Sequence, residues 1–368
     1  MKLKIPDYIK SIKPYKPGKP IEELEREYGV SGSVKLASNE NPLGPSPKAA
    51  AAMSDAMERM HRYPDGSGHY LTQKLSQTLG VKPGNIVLGN GSDEIIGMLT
   101  RALLQAGDEA IMTSPSFLMY EIMVRSTGAK PVFVPLKSLF ADLDAIAGQI
   151  TEKTRIIFLN NPVNPTGTII TKEQFKSFIS RVPGHVAVVI DEAYIEFASD
   201  PDCLDGISYC RGEPAVAVLR TFSKAYGLAG IRIGYGVMDE DLAGILHRVR
   251  QPFNANLLAQ EGALAALDDP DFLEKTLSLV RTELEFLYEE MEKLGVNYFP
   301  SQANFFLIDV GCDADAFFEK MLRRAVIVRS MASYGYPEYI RINAGTRQEN
   351  LKFVEAFTDV IRQMRQQS

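Results

Sequence analysis

Short apolar runs recur through the first two-thirds of the chain, and stretches with apolar positions at helical spacing separate them. Residues 86–88, 110–112, 156–159, 187–190, 215–219 and 231–237 read as buried strands. Helical patterns follow at 92–104 and from 117 to about 127. Strands alternating with helices predict a largely parallel sheet covered on both faces, an α/β fold. Glycine-rich and polar motifs follow the C-terminal ends of several of these runs, where open α/β sheets bind ligands.

The two ends of the chain have a different texture. Residues 1–35 are proline-rich and then charged, which predicts an extended arm and a short helix at 21–28. Beyond about residue 252 come a long helix at 271–294, a partly alternating strand at 298–310 and a helix at 315–324. Strands at 326–329 and 339–343 and a last helix from 348 complete an α+β pattern. The expected division is an arm joined to a small domain (1–35), a large domain (36–255) and a small C-terminal α+β domain (256–368).

Composition narrows the classes of function. A net charge of −6 argues against a surface that neutralises nucleic-acid phosphates and against anionic membranes. Three cysteines, Cys203, Cys210 and Cys312, have neither disulfide-framework nor zinc spacing, and the four histidines form no metal-ligand pattern. No metal is expected. The N-terminus lacks an apolar signal core, and no run approaches the 18 or so apolar residues of a membrane span. A cytoplasmic protein is the expectation.

The densest chemistry lies in Thr221-Phe222-Ser223-Lys224-Ala225-Tyr226-Gly227, with Arg232 just beyond. Partial desolvation and a nearby cation lower a lysine's pKa, leaving a neutral amine that attacks carbonyls. Thr221, Ser223 and Arg232 are suited to hold a phosphate beside it. An aldehyde with a phosphate tail is pyridoxal 5′-phosphate, whose enzymes pair a lysine with a carboxylate for the ring nitrogen. A solvated surface lysine is the alternative.

Other motifs fit the same ligand, each with a plainer structural alternative. Asp191 ends the 187–190 strand and suits the pyridine nitrogen, although it also reads as the start of a loop. Tyr194 and Asn164, the latter in Asn160-Asn161-Pro162-Val163-Asn164-Pro165-Thr166-Gly167, suit the ring's phenolic oxygen; asparagine before proline is also an ordinary turn. Gly89-Asn90-Gly91-Ser92-Asp93-Glu94 joins a strand to a helix, giving either a phosphate-binding N-terminus or a simple cap at Ser92. Phe117 suits ring stacking or the core. Arg341 within 339–343 and Arg329 after 326–328 each need an anion, either a ligand or an internal partner.

Together these segments resemble the fold-type I pyridoxal-phosphate aminotransferases, and specifically their histidinol-phosphate branch. The resemblance covers nearly the whole chain and rests on residues 35–47, 62–76, GNGSDE, 115–120, 161–167, DEAYIEF at 191–197, the lysine segment and 327–346. It implies that Lys224 binds the cofactor and shuttles the proton, that Asp191, Asn164 and Tyr194 tune the ring, and that Phe117 stacks on it. Gly91, Ser92, Asp93, Ser223 and Arg232 would form the phosphate cup, joined by Tyr63 of a neighbouring subunit in a homodimer. Arg341 would hold an amino-acid carboxylate, Arg329 with Tyr15 the substrate phosphate, and Asn39 would lie near the substrate.

The implied reaction interconverts L-histidinol phosphate plus 2-oxoglutarate with imidazole-acetol phosphate plus L-glutamate, a step of histidine biosynthesis. The partners are therefore small molecules. An aromatic amino acid aminotransferase is the alternative, because imidazole and phenyl rings have similar volume, and Arg329 discriminates against it. A threonine-phosphate decarboxylase is a second alternative, although its glycine-rich N-terminal segment is replaced here by ASNENPLGP. A ligand-sensing transcription regulator would need a basic helix-turn-helix region before the first core motif, whereas this chain is acidic.

Overall fold

A computed structural model describes residues 3–15 and 18–367; residues 1, 2, 16 and 17 of the expected arm, and 368, lie outside the described residues. In chain order the strands are β1 (Val34–Lys35), β2 (Ile86–Gly89), β3 (Glu109–Ser114), β4 (Lys130–Pro135), β5 (Thr154–Asn160), β6 (Ala187–Asp191) and β7 (Val216–Thr221). They continue with β8 (Gly234–Val237), β9 (Tyr298–Phe299), β10 (Phe305–Asp309), β11 (Val326–Ile327), β12 (Arg329–Ser330) and β13 (Tyr339–Asn343).

Seven strands form one sheet in the order β2-β8-β7-β6-β5-β3-β4. Pairings from β4 through β7 are parallel, and only β8 runs antiparallel to its neighbours. The continuous apolar runs follow from burial on both faces. Ile157, Leu159, Val188, Ile190, Val216 and Val218 fill one core. The alternating residues Ile156, Phe158, Val189, Ala217 and Leu219 fill the other. Each large apolar side chain so buried contributes roughly 1.5–3 kcal/mol. The chain therefore has the α/β fold with a mostly parallel, helix-covered sheet.

A second, antiparallel sheet, β12-β13-β10-β9, carries its own core. Phe306, Ile308, Ile340 and Ile342 pack there against Leu287 and Met291 of the helix Pro270–Lys293 and Phe353 and Phe357 of the helix Arg347–Gln367. β1 pairs in parallel with β11, so a segment preceding the large sheet is anchored beside the smaller one. The helix Leu257–Leu267, placed by the sequence in the smaller body, buries Ala259, Ala263 and Ala266 in the large-sheet core with Leu71 and Ile233.

Three strands differ from their predicted extents, each where the backbone turns. The 231–237 strand begins only at Gly234, because a short 3-10 turn at Ala229–Ile231 and a left-handed Arg232 (φ 62°) precede it. The 298–310 strand is a hairpin, β9 and β10, with Pro300 in the connection. The 326–329 strand divides between two sheets, β11 pairing with β1 and β12 with β13. Among the described residues no helix is long and apolar enough to cross a membrane, and no cluster of three or more metal-binding side chains occurs.

Candidate active site

The C-terminal ends of β5, β6 and β7 present Asn160, Asp191 and Thr221 side by side, with Asn160 and Asp191 in register. A cavity of about 270 Å3 opens there. It gathers Tyr15, Ser92, Asp93, Phe117, Asn164, Asp191, Tyr194, Thr221, Ser223, Lys224 and Arg232 from segments far apart in sequence.

One end of the cavity is built for an anion. The helix Ser92–Leu103 starts there, and its N-cap is Gly91 with no side-chain cap, so Ser92 is the first helical residue and not the cap. Uncapped N–H groups and the helix dipole favour negative charge. Gly91 has φ 76°, a left-handed conformation that favours glycine, and a Cβ on it would lie 2.6 Å from Arg232 Nη2, so a side chain here would displace the guanidinium. Arg232 donates to the Ala229 carbonyl at 3.0 Å and reaches Ser223 Oγ at 3.5 Å, with Asp93 3.6 Å away.

Lys224 is half-buried, and its amine donates to the Ser38 carbonyl at 3.2 Å. Among the described residues no carboxylate pairs with it. Burial, and then the positive charge of Arg341, lower its pKa to about 8, giving a substantial neutral fraction near neutral pH.

Asp191 is only 4% exposed, and among the described residues no cation forms an ion pair with it. It accepts a hydrogen bond from the Tyr120 hydroxyl at 2.6 Å and from the Ala193 N–H at 3.2 Å. Burial raises its pKa to about 6, against the lowering effect of the Tyr120 bond. Asn160 donates to the Asp191 carbonyl at 3.0 Å and accepts from the Asn164 N–H at 2.6 Å, joining the two strand-end motifs.

Arg341 is buried on β13 and donates to Asn164 Oδ1 at 2.5 Å and to the Ala37 carbonyl at 3.0 Å. Among the described residues its Nε has no hydrogen-bond partner. An unpaired buried donor costs about 1–3 kcal/mol, and a carboxylate or phosphate in the guanidinium fork relieves it. Asn39, in a left-handed conformation (φ 54°), donates through Nδ2 to the Tyr194 hydroxyl at 3.0 Å. Its backbone N–H donates to Asn343 Oδ1 at 3.0 Å. Burial pushes the Tyr194 hydroxyl up to about 12, so it stays protonated.

Two expected site residues stand apart from this group. Arg329 on β12 lies opposite Arg341 in register, its guanidinium 6.0 Å above the Tyr334 ring. Tyr63 is 82% exposed and stacks on Phe253 at 4.7 Å, outside the cavity of its own chain. Sequence reasoning gave no role to Tyr120, Asn160, Ser38 or Glu40, all of which touch Asp191 or line the cavity. Tyr120 carried a usable signal, since it follows Phe117 by one helical turn and so shares its side of the helix.

These residues fit a ligand combining a phosphate, a carbonyl carbon and a protonatable ring nitrogen. The uncapped helix N-terminus suits the first, the Lys224 amine, bonded only to a carbonyl, the second and Asp191 the third. The profile of the family described as aminotransferase class I and II matches residues 31–357, and the chain belongs to that family. Its relatives place it more narrowly, among the histidinol-phosphate aminotransferases. It is 49% identical to the histidinol-phosphate aminotransferase of Desulfotalea psychrophila, over 99% of this chain and 97% of that one. It is 44% identical to that of Moorella thermoacetica, over 96% and 92%. The crystal structure of the Sinorhizobium meliloti histidinol-phosphate aminotransferase in complex with pyridoxal 5′-phosphate superposes with a TM-score of 0.88, at 29% identity over 97% of each chain.

Proposed function

We propose that the cavity holds pyridoxal 5′-phosphate and that the enzyme transfers the amino group of L-histidinol phosphate to 2-oxoglutarate. The products are imidazole-acetol phosphate and L-glutamate, in histidine biosynthesis. The observation that carries this reading is the convergence on one cavity of a lysine amine that, among the described residues, has no carboxylate partner, a buried carboxylate and an uncapped helix N-terminus.

Bound there, the cofactor supplies an electrophilic carbon and a ring that draws electrons from the substrate. The chain's residues do the rest. The N–H groups of the Ser92–Leu103 helix, with Gly91, Asp93, Thr221, Ser223 and Arg232, hold the cofactor phosphate. Asp191, kept ionised, holds a proton on the ring nitrogen. Asn164 and Tyr194 face the ring's phenolic oxygen, and Phe117 stacks on the ring.

Lys224 Nζ, neutral in part because of its burial, takes the proton from the substrate carbon and returns it. Arg341 pins the substrate's anionic group so that the C–H bond, and not a C–C bond, is presented to that amine. Arg329 and Tyr15 add donors for a phosphate dianion or for the second carboxylate of glutamate, and Asn39 borders the same space.

The assembly is a homodimer in which Tyr63 reaches the partner's cofactor phosphate; its exposure on the isolated chain supports this. The chain works in the cytoplasm, with a large domain at 36–255 that the helix Leu257–Leu267 joins, a small one in the remainder of 256–368, and the arm 1–35 bordering the site through Tyr15. Borohydride reduction of the loaded enzyme tests the assignment. The cofactor should be recovered on a peptide containing Lys224, and recovery on any other lysine refutes it.

A further inference from the structure

Tyr120 is 1% exposed on the helix Leu118–Ser126 and touches two parts of the site at once. Its ring stacks on Phe158 of β5 at 4.8 Å with 6° between planes. Its edge meets the Phe117 ring at 5.6 Å and 86°. Its hydroxyl donates to Asp191 Oδ2 at 2.6 Å. Among the described residues Asp191 receives one other donor, the Ala193 N–H, and no guanidinium or ammonium. A carboxylate buried to this degree tends to protonate, and a protonated Asp191 cannot hold a proton on a ring nitrogen. Burial and the Asp191 charge both raise the pKa of the phenol, so it remains a donor.

We infer that Tyr120 is a positioning residue that keeps Asp191 ionised and fixed in one orientation, while its ring buttresses Phe117. This rests on the reading that Asp191 faces the nitrogen of a bound pyridine. The phenol is suited to the task because it is rigid: two aromatic contacts fix its ring, so little freedom is lost in making the hydrogen bond. A charge-assisted bond of this length stabilises the carboxylate more than water reaching the same oxygen intermittently. The tyrosine also supplies no positive charge, which leaves the full negative charge of Asp191 available to the ring nitrogen.

Tyr120→Phe tests the inference, because it keeps both aromatic contacts and removes only the donor. The expected result is kcat lowered roughly ten- to a hundredfold, with KM for the amino donor within about threefold. Pyridoxal 5′-phosphate should dissociate at least about fivefold more readily, whereas its 1-deaza analogue, with carbon in place of the ring nitrogen, should bind within about twofold of wild type. In an Asp191→Asn background the same substitution should change kcat less than about twofold. Equal weakening of both cofactors would assign Tyr120 a merely structural role, and an unchanged kcat and cofactor affinity would overturn the inference outright. Should Tyr120→Phe not fold, Asp191→Asn alone must show the same selective loss of pyridoxal 5′-phosphate over the analogue, or the inference fails. Borohydride trapping on Lys224 in wild type and variant separates these outcomes from failure of the cofactor assignment itself.

Discussion

Arg329 and Arg341 stand directly opposite each other across the antiparallel pair β12–β13, and among the described residues neither is bonded to a carboxylate. Burial lowers the pKa of Arg341, and the nearby charge of Arg329 adds to that lowering. Like charges directly opposite on a sheet are destabilising, so this pairing needs an anion between or beside the two forks. Histidinol phosphate carries a phosphate dianion where an amino acid carries its α-carboxylate.

Arg329→Ala should therefore lower kcat/KM for L-histidinol phosphate roughly ten- to a hundredfold, at about 1.4 kcal/mol per decade and 1.5–3 kcal/mol per charge-assisted bond. Any activity toward phenylalanine should change much less. Steady-state kinetics with both donors measures this. Equal losses for the two donors would remove the phosphate from Arg329.

The lowered pKa of Lys224 predicts how the apoenzyme recaptures its cofactor. Only the neutral amine attacks, so the rate constant for covalent capture of pyridoxal 5′-phosphate should rise with pH through a midpoint of about 8. The positive charge of Arg341 is the second cause of the lowering, so Arg341→Gln should move that midpoint upward. Stopped-flow absorbance across pH 6 to 10 reads both. A rate that keeps rising about tenfold per pH unit through pH 9, as for a lysine with the ordinary pKa of about 10.4, contradicts the burial argument.

The fold was legible wherever burial was two-sided. Residues 156–159 and 187–190 are apolar throughout because alternate side chains feed separate cores. β4 escaped notice because Pro131 and Pro135 break its apolar pattern; they are tolerated because β4 is the last strand of the sheet. Lys224, Asp191 and Arg232 could be found by their local motifs. The place of Tyr120 beside Phe117 was legible from helical spacing, but its role was not, since its partner lies 71 residues away and only folding brings them together. Ser38 was invisible for another reason: it acts through its carbonyl, which every residue has.

Shared sites predict complementation. Tyr63→Ala and Lys224→Ala subunits, each strongly impaired alone, should regain part of the activity when mixed and reassociated, because one site in each mixed dimer is then intact. A fully active monomer in sedimentation at assay concentration would exclude the shared-site arrangement.

The smaller sheet is secured at Glu283, 3% exposed, which accepts from Arg347 Nε at 3.0 Å and from Asn350 Nδ2 at 2.7 Å. Arg347 also lies 3.8 Å above the Phe286 ring. Arg347→Ala leaves that buried carboxylate short of its cation. It should destabilise the protein by about 1–3 kcal/mol, below the loss for a fully buried pair because half of the arginine side chain faces solvent. Denaturant unfolding should show a lower midpoint, and an unchanged midpoint would assign the pair no stabilising role.

Arg329 and Arg341 together should make this enzyme select a phosphorylated amino donor. Initial rates with 2-oxoglutarate as acceptor, comparing L-histidinol phosphate with phenylalanine and tyrosine, test it most directly. The two-arginine site predicts a kcat/KM for L-histidinol phosphate at least about tenfold above either aromatic donor. A wild-type enzyme that transaminates phenylalanine far better than L-histidinol phosphate would contradict the assignment.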